Sequence, residues 1–451
     1  MPQHSEPPPH RSGAPDPRVL HSGIVGGSSR RRGSLWLMRR IDVWVGLPAC
    51  FALGLLVSLR RRILPRRDRP IRERGTLVIL KFFGIGSIIE ATPLLRGIRH
   101  RYPEAQLVFI TFQGNESLLR RLDLCTEVRV IRTRSPLAFA LDTLRHVLWM
   151  RRRDVDAVID LEFFSKFSTL MAVLGGARKR VGYHLHAFWR SSLLTHAVCF
   201  NYYRHIADIF AEAGSLIGAP IEDRSLSPVP VDDLARARVA ERLREHGIGP
   251  RDRLVGVNVN AGDLALERRW PAERFAELIE ALVARHPDVR IVLTGAPGEA
   301  GYVRGVAERL GAAARPRTLV AAGLWSLDEF VAALERMSCL VTNDSGPMHL
   351  AAAQGTPIVS LWGPQRPDVY APRVANQEIV YEAFPCSPCI HMLTTFEGMW
   401  CHHEGWCMQA IATMTVLAAV ERRLAAGDAP AGAGAVAALR LPRGGASAIP
   451  E

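Results

Sequence analysis

The chain has 451 residues, of which 48% are hydrophobic and 22% charged, and it carries a formal net charge of +13. That length supports two or three domains with sizeable cores, and the hydrophobic content is that of a globular α/β protein, not of a disordered or fibrous chain. The charge is concentrated: thirteen arginines between Arg30 and Arg74 face only Asp42, Asp68 and Glu73, a local excess of +10. The basic character therefore belongs to one segment, and it lacks the regular interleaving of aromatic residues that base stacking needs, so no nucleic-acid partner is expected.

Residues 1–40, rich in Pro, Ser, Gly and Arg, read as a disordered basic N-terminus. Within 41–74, Val43–Leu59 is apolar apart from Ser58 and is interrupted by Gly46, Pro48 and Gly54. Its 17 residues fall at the short limit for a spanning helix, which takes about 20. Arginines flank both ends, so charge asymmetry gives no orientation. Arg60-Arg61-Arg62 stands where a cleavable signal peptide would carry small residues. Residues 41–62 read as a membrane-associated element, interfacial or re-entrant, with its arginines on an anionic membrane surface. A short spanning anchor and a buried soluble helix are the alternatives.

Further along, Leu77–Phe83 reads as a buried strand, Gly84-Ile85-Gly86 as a turn, and Ser87–Arg101 as an amphipathic helix. Strands are expected at Gln106–Phe112, Glu127–Ile131, Ala157–Leu161 and Arg180–Tyr183, with helices between them. Ile221–Asp233, acidic and proline-containing, is the natural linker. The alternation resumes from Leu254 to Trp362, with strands at Leu254–Val259, Arg290–Thr294, Cys339–Thr342 and Pro357–Trp362. Two doubly wound parallel sheets follow, in domains 75–225 and 226–425, with ligands expected in the cleft beyond the carboxyl ends of the strands. A last helix near Met408–Ala425 is expected to pack back across the domains. Residues 426–451, mostly Ala and Gly, read as a disordered tail.

The most specific local signal is Asn343-Asp344-Ser345-Gly346-Pro347-Met348-His349-Leu350. It lies between a strand and an alanine-rich helical run, so it turns a strand into a helix N-terminus. Such a junction offers backbone amides and a positive dipole end to an anion. Gly346 allows close approach, and Pro347 suits the first helical turn. Upstream, Arg268-Arg269-Trp270-Pro271 opens a helix, and downstream a strand ends in Leu361-Trp362-Gly363-Pro364. An anion held there needs neutralisation, which amides and a cation can provide. Ser345, Gly346 and His349 are assigned that work, with Arg268 as the cation. Asp344 is a candidate to hold the rest of the ligand, the sugar in the family named below, or to orient His349. Each also has a structural reading: a turn residue for Asp344, an exposed helix entry for Arg268.

On the Asn-Asp-Ser-Gly-Pro-Met-His run, the Arg-Trp-Pro motif and the Leu-Trp-Gly-Pro strand end, residues 76–425 resemble glycosyltransferase family 9, the heptosyltransferase-like family of lipopolysaccharide assembly. The resemblance implies a GT-B fold, two Rossmann-like domains facing a central cleft, the first binding acceptor and the second a nucleotide-diphospho-sugar, plausibly ADP-heptose. It implies inverting transfer by direct displacement, with no cofactor or metal required, onto a lipid-linked saccharide at the cytoplasmic face of the inner (plasma) membrane. It puts Arg268 where the family usually has lysine, and Glu299 at a nucleoside-contacting position. Ser87 stands where family members commonly carry the aspartate that acts as general base.

That departure is the main chemical question. A serine hydroxyl is not a general base at neutral pH without activation, and Ser87-x-x-Glu90 fits a capping box. Glu162, following the strand that ends at Leu161, is the first alternative base and Glu90 the second. The rival reading is a catalytically inactive, membrane-associated nucleotide-sugar-binding scaffold. A dinucleotide-dependent oxidoreductase is excluded at the first turn: Ile89 replaces the third glycine and no acid closes the next strand. Finally, Cys386, Cys389, Cys401 and Cys407, with His391, His402 and His403 nearby, admit a structural zinc site, free thiols or disulfides. Cys50, Cys125, Cys199 and Cys339 read as core residues.

Overall fold

The computed structural model describes residues 40, 42–63, 68–163, 165–184, 190, 192–262, 265–382, 384–390, 401 and 405–427. Residues 1–39 and 428–451, and with them His391, His402 and His403, lie outside that set.

The chain enters through helix α1 (Gly46–Ile63), which extends a first turn at Asp42 and lies on the first of two α/β lobes. The first lobe holds strands β1 (Thr76–Leu80), β2 (Gln106–Phe112), β3 (Glu127–Ile131), β4 (Ala157–Asp160), β5 (Lys179–His184) and β6 (His196–Cys199). They form one sheet in the order β3-β2-β1-β4-β5-β6, parallel throughout. Helices α2 (Ile85–Glu90), α3 (Thr92–Arg101), α4 (Glu116–Leu122), α5 (Pro136–Arg153), α6 (Lys166–Leu174) and α7 (Ile206–Ser215) complete it. All five residues of β1 are buried, because helices cover both faces of the sheet; an uninterrupted Thr-Leu-Val-Ile-Leu run is what such a strand requires.

The second lobe begins with α8 (Asp233–Glu245), capped by Asp232, whose carboxylate accepts the Ala235 amide at 2.7 Å. Its strands are β7 (Arg253–Asn258), β8 (Val289–Thr294), β9 (Thr318–Val320), β10 (Met337–Asn343), β11 (Ile358–Trp362) and β12 (Gln377–Tyr381). Their order, β12-β11-β10-β7-β8-β9, repeats the first sheet's pattern strand for strand. Helices α9 (Ala272–Arg285), α10 (Ala300–Ala307), α11 (Leu327–Arg336), α12 (Gly346–Gln354) and α13 (Thr413–Gly427) pack on it. On α9, Phe275, Leu278, Ile279 and Leu282 recur at helical spacing and are buried, so one stripe of that helix fastens it to the sheet.

Three expectations are corrected. The single helix over 87–101 is two helices broken at Ala91, since Pro93 has no N–H to donate; Thr92 Oγ1 instead donates to the Ile89 carbonyl at 2.7 Å. β1 stops at Leu80, because the Phe82 and Phe83 amides turn away to a carboxylate. The last helix does not cross back: its buried Val416, Leu417, Val420 and Leu424 pack on α9 and strands β10–β12 of its own lobe.

Candidate active site

Both sheets reverse strand order between their first and fourth members, and a ligand crevice lies at the carboxyl ends of such a switch point. In the second lobe that point is β7/β10, and it is lined by neutral donors. Asn258 Nδ2 donates to Thr342 Oγ1 at 3.0 Å and Ser345 Oγ at 2.9 Å. Asn343 is a brace: its amide nitrogen donates to the Val259 and Asn260 carbonyls, and its oxygen accepts the Trp270 amide at 3.0 Å. Trp270 is fully buried, which locks the Arg-Trp-Pro entry of α9 to the Asn-Asp-Ser-Gly turn. Ser345 is the N-cap residue of α12, in extended conformation, and its side chain does not cap; its hydroxyl goes to Asn258 and Thr342 instead. Pro347 has no N–H and the Met348 amide bonds the Ser345 carbonyl at 3.2 Å, so in the first turn of α12 the Gly346 amide is left for another partner.

Arg268 is an ion-pair partner, not a lone cation. Its Nη1 lies 3.2 Å from Asp344 Oδ2, and its Nη2 donates to the Ala261 carbonyl at 2.6 Å, with the side chain 14% exposed. Asp344 thus orients Arg268, while His349 takes a different partner. Glu299 ends the turn after β8, where its carboxylate accepts the Ala296 amide at 2.8 Å.

Two residues of this crevice carried no sequence signal. Asn260 and Thr294 end or follow β7 and β8, are 2% exposed, and have side-chain amide and hydroxyl groups with no hydrogen-bond partner. Buried polar groups are nearly always paired, so unpaired ones at strand carboxyl ends mark places where a ligand can complete the network.

The lobes meet where α2 packs on α12. A side chain at Gly346 would lie 3.6 Å from Ile85 Cβ, and one at Gly86 would sit 2.4 Å from His349 Cδ2, so two glycines let the two helices approach. Across that junction His349 Nδ1 and Glu90 Oε1 are 2.9 Å apart, both buried. Glu90 also lines a cavity of about 300 Å³ between the lobes, with His205, Arg224 and Arg373. Further ties hold the lobes: His205 Nε2 meets the Ala371 carbonyl at 2.8 Å, and Arg373 pairs with Asp208 at 2.9 Å.

The first lobe's switch point, β1/β4, is charged and closed. Glu162 Oε1 receives Lys81 Nζ at 3.1 Å and the Phe82 and Phe83 amides at 2.5 and 2.9 Å. These bonds shape the turn into α2, where Gly84 takes φ 85°, a conformation that favours glycine. Beneath it Asp160 pairs with Arg190 and accepts the Ser168 hydroxyl at 2.8 Å. Burial pushes the Asp160 carboxyl up to about 6 in spite of the arginine. The capping box expected at Ser87-x-x-Glu90 does not form. Gly84 is the N-cap residue, so Ser87 lies inside the first turn and donates back to the Gly84 and Phe83 carbonyls at 2.9 and 3.2 Å. Glu90 reaches the other lobe.

All eight cysteines are free thiols. Cys389 and Cys407 gather under the Gly363–Pro364 loop, the Cys389 amide donating to the Pro364 carbonyl at 2.9 Å. Burial pushes the Cys407 thiol up to about 12. Among the described residues no group of three or more His, Cys, Asp or Glu side chains is placed to hold a metal ion. Cys199, expected in the core, is exposed on edge strand β6.

Two doubly wound lobes, joined so that a helix N-terminus of one faces the other, are the GT-B architecture. The family model for glycosyltransferase family 9 (heptosyltransferase) matches residues 144–400. That is more than half of the chain, which belongs to this family and is a glycosyltransferase. It is similar to lipopolysaccharide heptosyltransferase 3 of Escherichia coli, 24% identical over 297 residues that span 62% of this chain and 80% of that one. Among solved structures it resembles the family 9 glycosyl transferase of Veillonella parvula, with a TM-score of 0.64 and 24% identity over 79% of this chain and 99% of that one. It also resembles the E. coli ADP-heptose lps heptosyltransferase II, with a TM-score of 0.61 and 19% identity over 79% and 100% of the two chains.

Proposed function

We propose that this glycosyltransferase moves a heptose from a nucleotide-diphospho-sugar of the ADP-heptose kind to a lipid-linked saccharide of the lipopolysaccharide-core type. The single observation that carries the reading is the N-terminus of α12, which has no side-chain cap and lies against α2 of the other lobe at Gly346. Negative charge grows on the diphosphate as the glycosidic bond breaks, and oriented amides stabilise it without reorganising. Arg268, held by Asp344, adds the cation, so the step needs no metal ion. Asn260 and Thr294 complete the donor crevice, with Glu299 toward the nucleoside.

The acceptor hydroxyl attacks from the first lobe, on the face opposite the leaving diphosphate, and the sugar carbon inverts. Its proton goes to Glu90. Of the three sequence candidates, Glu90 alone pairs a cavity at the lobe junction with a carboxylate oxygen uncommitted to protein donors. Its bond to His349 Nδ1 leaves the imidazole Nε2 for the donor phosphates and couples acceptor deprotonation to donor occupancy. Glu162, whose Oε1 takes one lysine and two amides and which does not line that cavity, is a positioning residue for the turn into α2. Ser87 is a packing residue.

The enzyme works at the cytoplasmic face of the inner membrane, with α1 lying in the bilayer interface. The helix Asp42–Ile63 has the length and apolarity to cross a membrane. It nevertheless lies lengthwise on α6, and Trp44 and Leu55 on its free side are 75% and 73% exposed.

A thermal-shift screen across ADP-, UDP-, GDP- and dTDP-sugars, followed by turnover on lipid-linked saccharides, tests the reading. Selective stabilisation by an ADP-sugar together with turnover supports it. Donor binding with no transfer to any such acceptor would instead favour an inactive scaffold.

A further inference from the structure

A cleft far from the donor crevice has chemistry that glycosyl transfer does not use. α1 packs on α6 through Gly46, Cys50 and Gly54, one residue per turn, all buried. A Cβ at Gly46 or Gly54 would come within 2.7 Å of Lys166 Cβ or Ser192 Oγ, so only small residues allow this seat. Asp42 accepts the Phe167 amide at 2.8 Å at one end, and Arg61 donates to the Leu194 carbonyl at 2.9 Å at the other. The helix is thus clamped along its length, with its large side chains turned outward.

Between the second half of α1, the ends of α5 and α6 and the starts of β5 and β6 lies a cleft of about 1170 Å³. One wall is aliphatic: Leu53, Leu56 and Val57 from α1, with Val173 and Leu174 from α6. The other is basic, with seven arginine and lysine side chains against Asp68 as the one acid. Lys179 and Arg178 are already paired, with Asp68 and Asp154. Arg60 and Arg151 are exposed and make no hydrogen bond or ion pair with the described residues. Outside the cleft the aliphatic wall continues into a broad apolar face. Phe51, Leu55 and Leu59 stand out from α1, and Leu137, Leu141, Leu144 and Leu148 form an exposed stripe on α5. α5 and α6 cover the same face of the first sheet, and α1 packs on α6.

We propose that this cleft seats one anionic glycerophospholipid of the bilayer. Its phosphate lies between Arg60, Arg151 and the Lys179 edge, and an acyl chain runs along Leu53, Leu56, Val57 and Leu174. A phosphate beside a guanidinium pair is a charge-assisted contact, and the aliphatic wall has no use for a free phosphate. Among the described residues no Phe, Tyr or Trp lines the cleft, which separates it from a stacking platform for nucleic acid. The cleft lies at the amino ends of β5 and β6, one strand length (about 20 Å) from the carboxyl ends that face the donor. A lipid there anchors and orients the enzyme without competing for the reaction. The inference rests on the reading of α1 as an interfacial helix.

The test is co-sedimentation of the full chain with vesicles of phosphatidylcholine alone and of phosphatidylcholine mixed with phosphatidylglycerol. The wild type should bind both, the anionic vesicles about tenfold or more tightly, as expected for two basic residues at an anionic surface. R60E/R151E should fall to the neutral-vesicle level while keeping its turnover on a soluble acceptor, which shows that it is folded. Val57→Trp, which fills the cleft without changing charge, should lose most of the same preference. R62E, exposed on α1 but outside the cleft, should lose much less. Equal losses for R62E and for R60E made alone as its single-charge counterpart would overturn the site in favour of diffuse attraction. Displacement by glycerol phosphate would overturn the lipid assignment in favour of a simple anion site. Binding to both vesicle types without anionic preference removes the site but leaves the interfacial helix. Absence of binding to either removes both.

Discussion

The two lobes share a strand order but end in opposite chemistry. At β7/β10 the crevice is built mostly of neutral dipoles, Asn258, Thr342, Asn343 and Ser345, around an uncapped helix N-terminus, with the Arg268–Asp344 pair as its charge. At β1/β4 it is built of buried ion pairs, Lys81 with Glu162 and Asp160 with Arg190. Dipoles with spare hydrogen-bonding capacity can accept an anion, whereas paired charges under a turn can only hold that turn in place. The contrast suggests a division of labour, the second lobe binding and the first lobe framing, with Glu90 and His349 as a link between the two.

That comparison can be broken most severely at Asp160. Asp160→Ala leaves Arg190 charged and buried, so it should cost about 3–5 kcal/mol of stability in a denaturation experiment, with donor affinity in the folded fraction unchanged. A large affinity loss at unchanged stability would move the frame into the binding site. Glu90→Gln keeps an oxygen for His349 but removes the charge; kcat should drop by roughly 10²–10⁴ with the donor Kd little altered. Near-wild-type turnover in that variant would return the base to another residue.

Arg268→Ala should weaken donor binding by about 1.5–3 kcal/mol by calorimetry, the range for a hydrogen bond to a charged group. Unchanged affinity would show that Arg268 serves only Asp344. The smallest effect is expected at Ser87. Its hydroxyl bonds back to its own helix instead of capping it, which is nearly neutral in energy. Ser87→Ala should therefore shift stability by no more than about 0.5 kcal/mol and leave most of the turnover. A near-complete loss of activity in a stable variant would give the first lobe a catalytic hydroxyl and undo the contrast.

Much of the second lobe could be read from the chain alone. The Asn-Asp-Ser-Gly-Pro-Met-His turn is contiguous, its strand and helix have different periods, and Pro347 and Gly346 report the geometry directly. The first lobe was legible as strands and helices but not as chemistry. Ser87-x-x-Glu90 has the spacing of a capping box, yet Gly84 at positive φ starts the helix three residues earlier and releases Glu90 to the other lobe. Glu162 looked available because its strand ends in the cleft; its Oε1 is instead taken by Lys81 and the Phe82 and Phe83 amides, about eighty residues upstream. Asn260 and Thr294 have no local pattern at all, and only their lack of partners at strand ends draws attention to them.

The amino-acid order by itself determined the doubly wound architecture, the helix N-terminus at Gly346 and the apolar helix amid arginines. Each of these follows from side-chain periodicity and backbone preference within about twenty residues. Tertiary structure alone decided which carboxylate meets His349 across 259 positions, which face of α1 is left exposed, and which arginines remain unpaired among the described residues. Those outcomes depend on where distant side chains come to rest once both lobes have packed, and no local period encodes that.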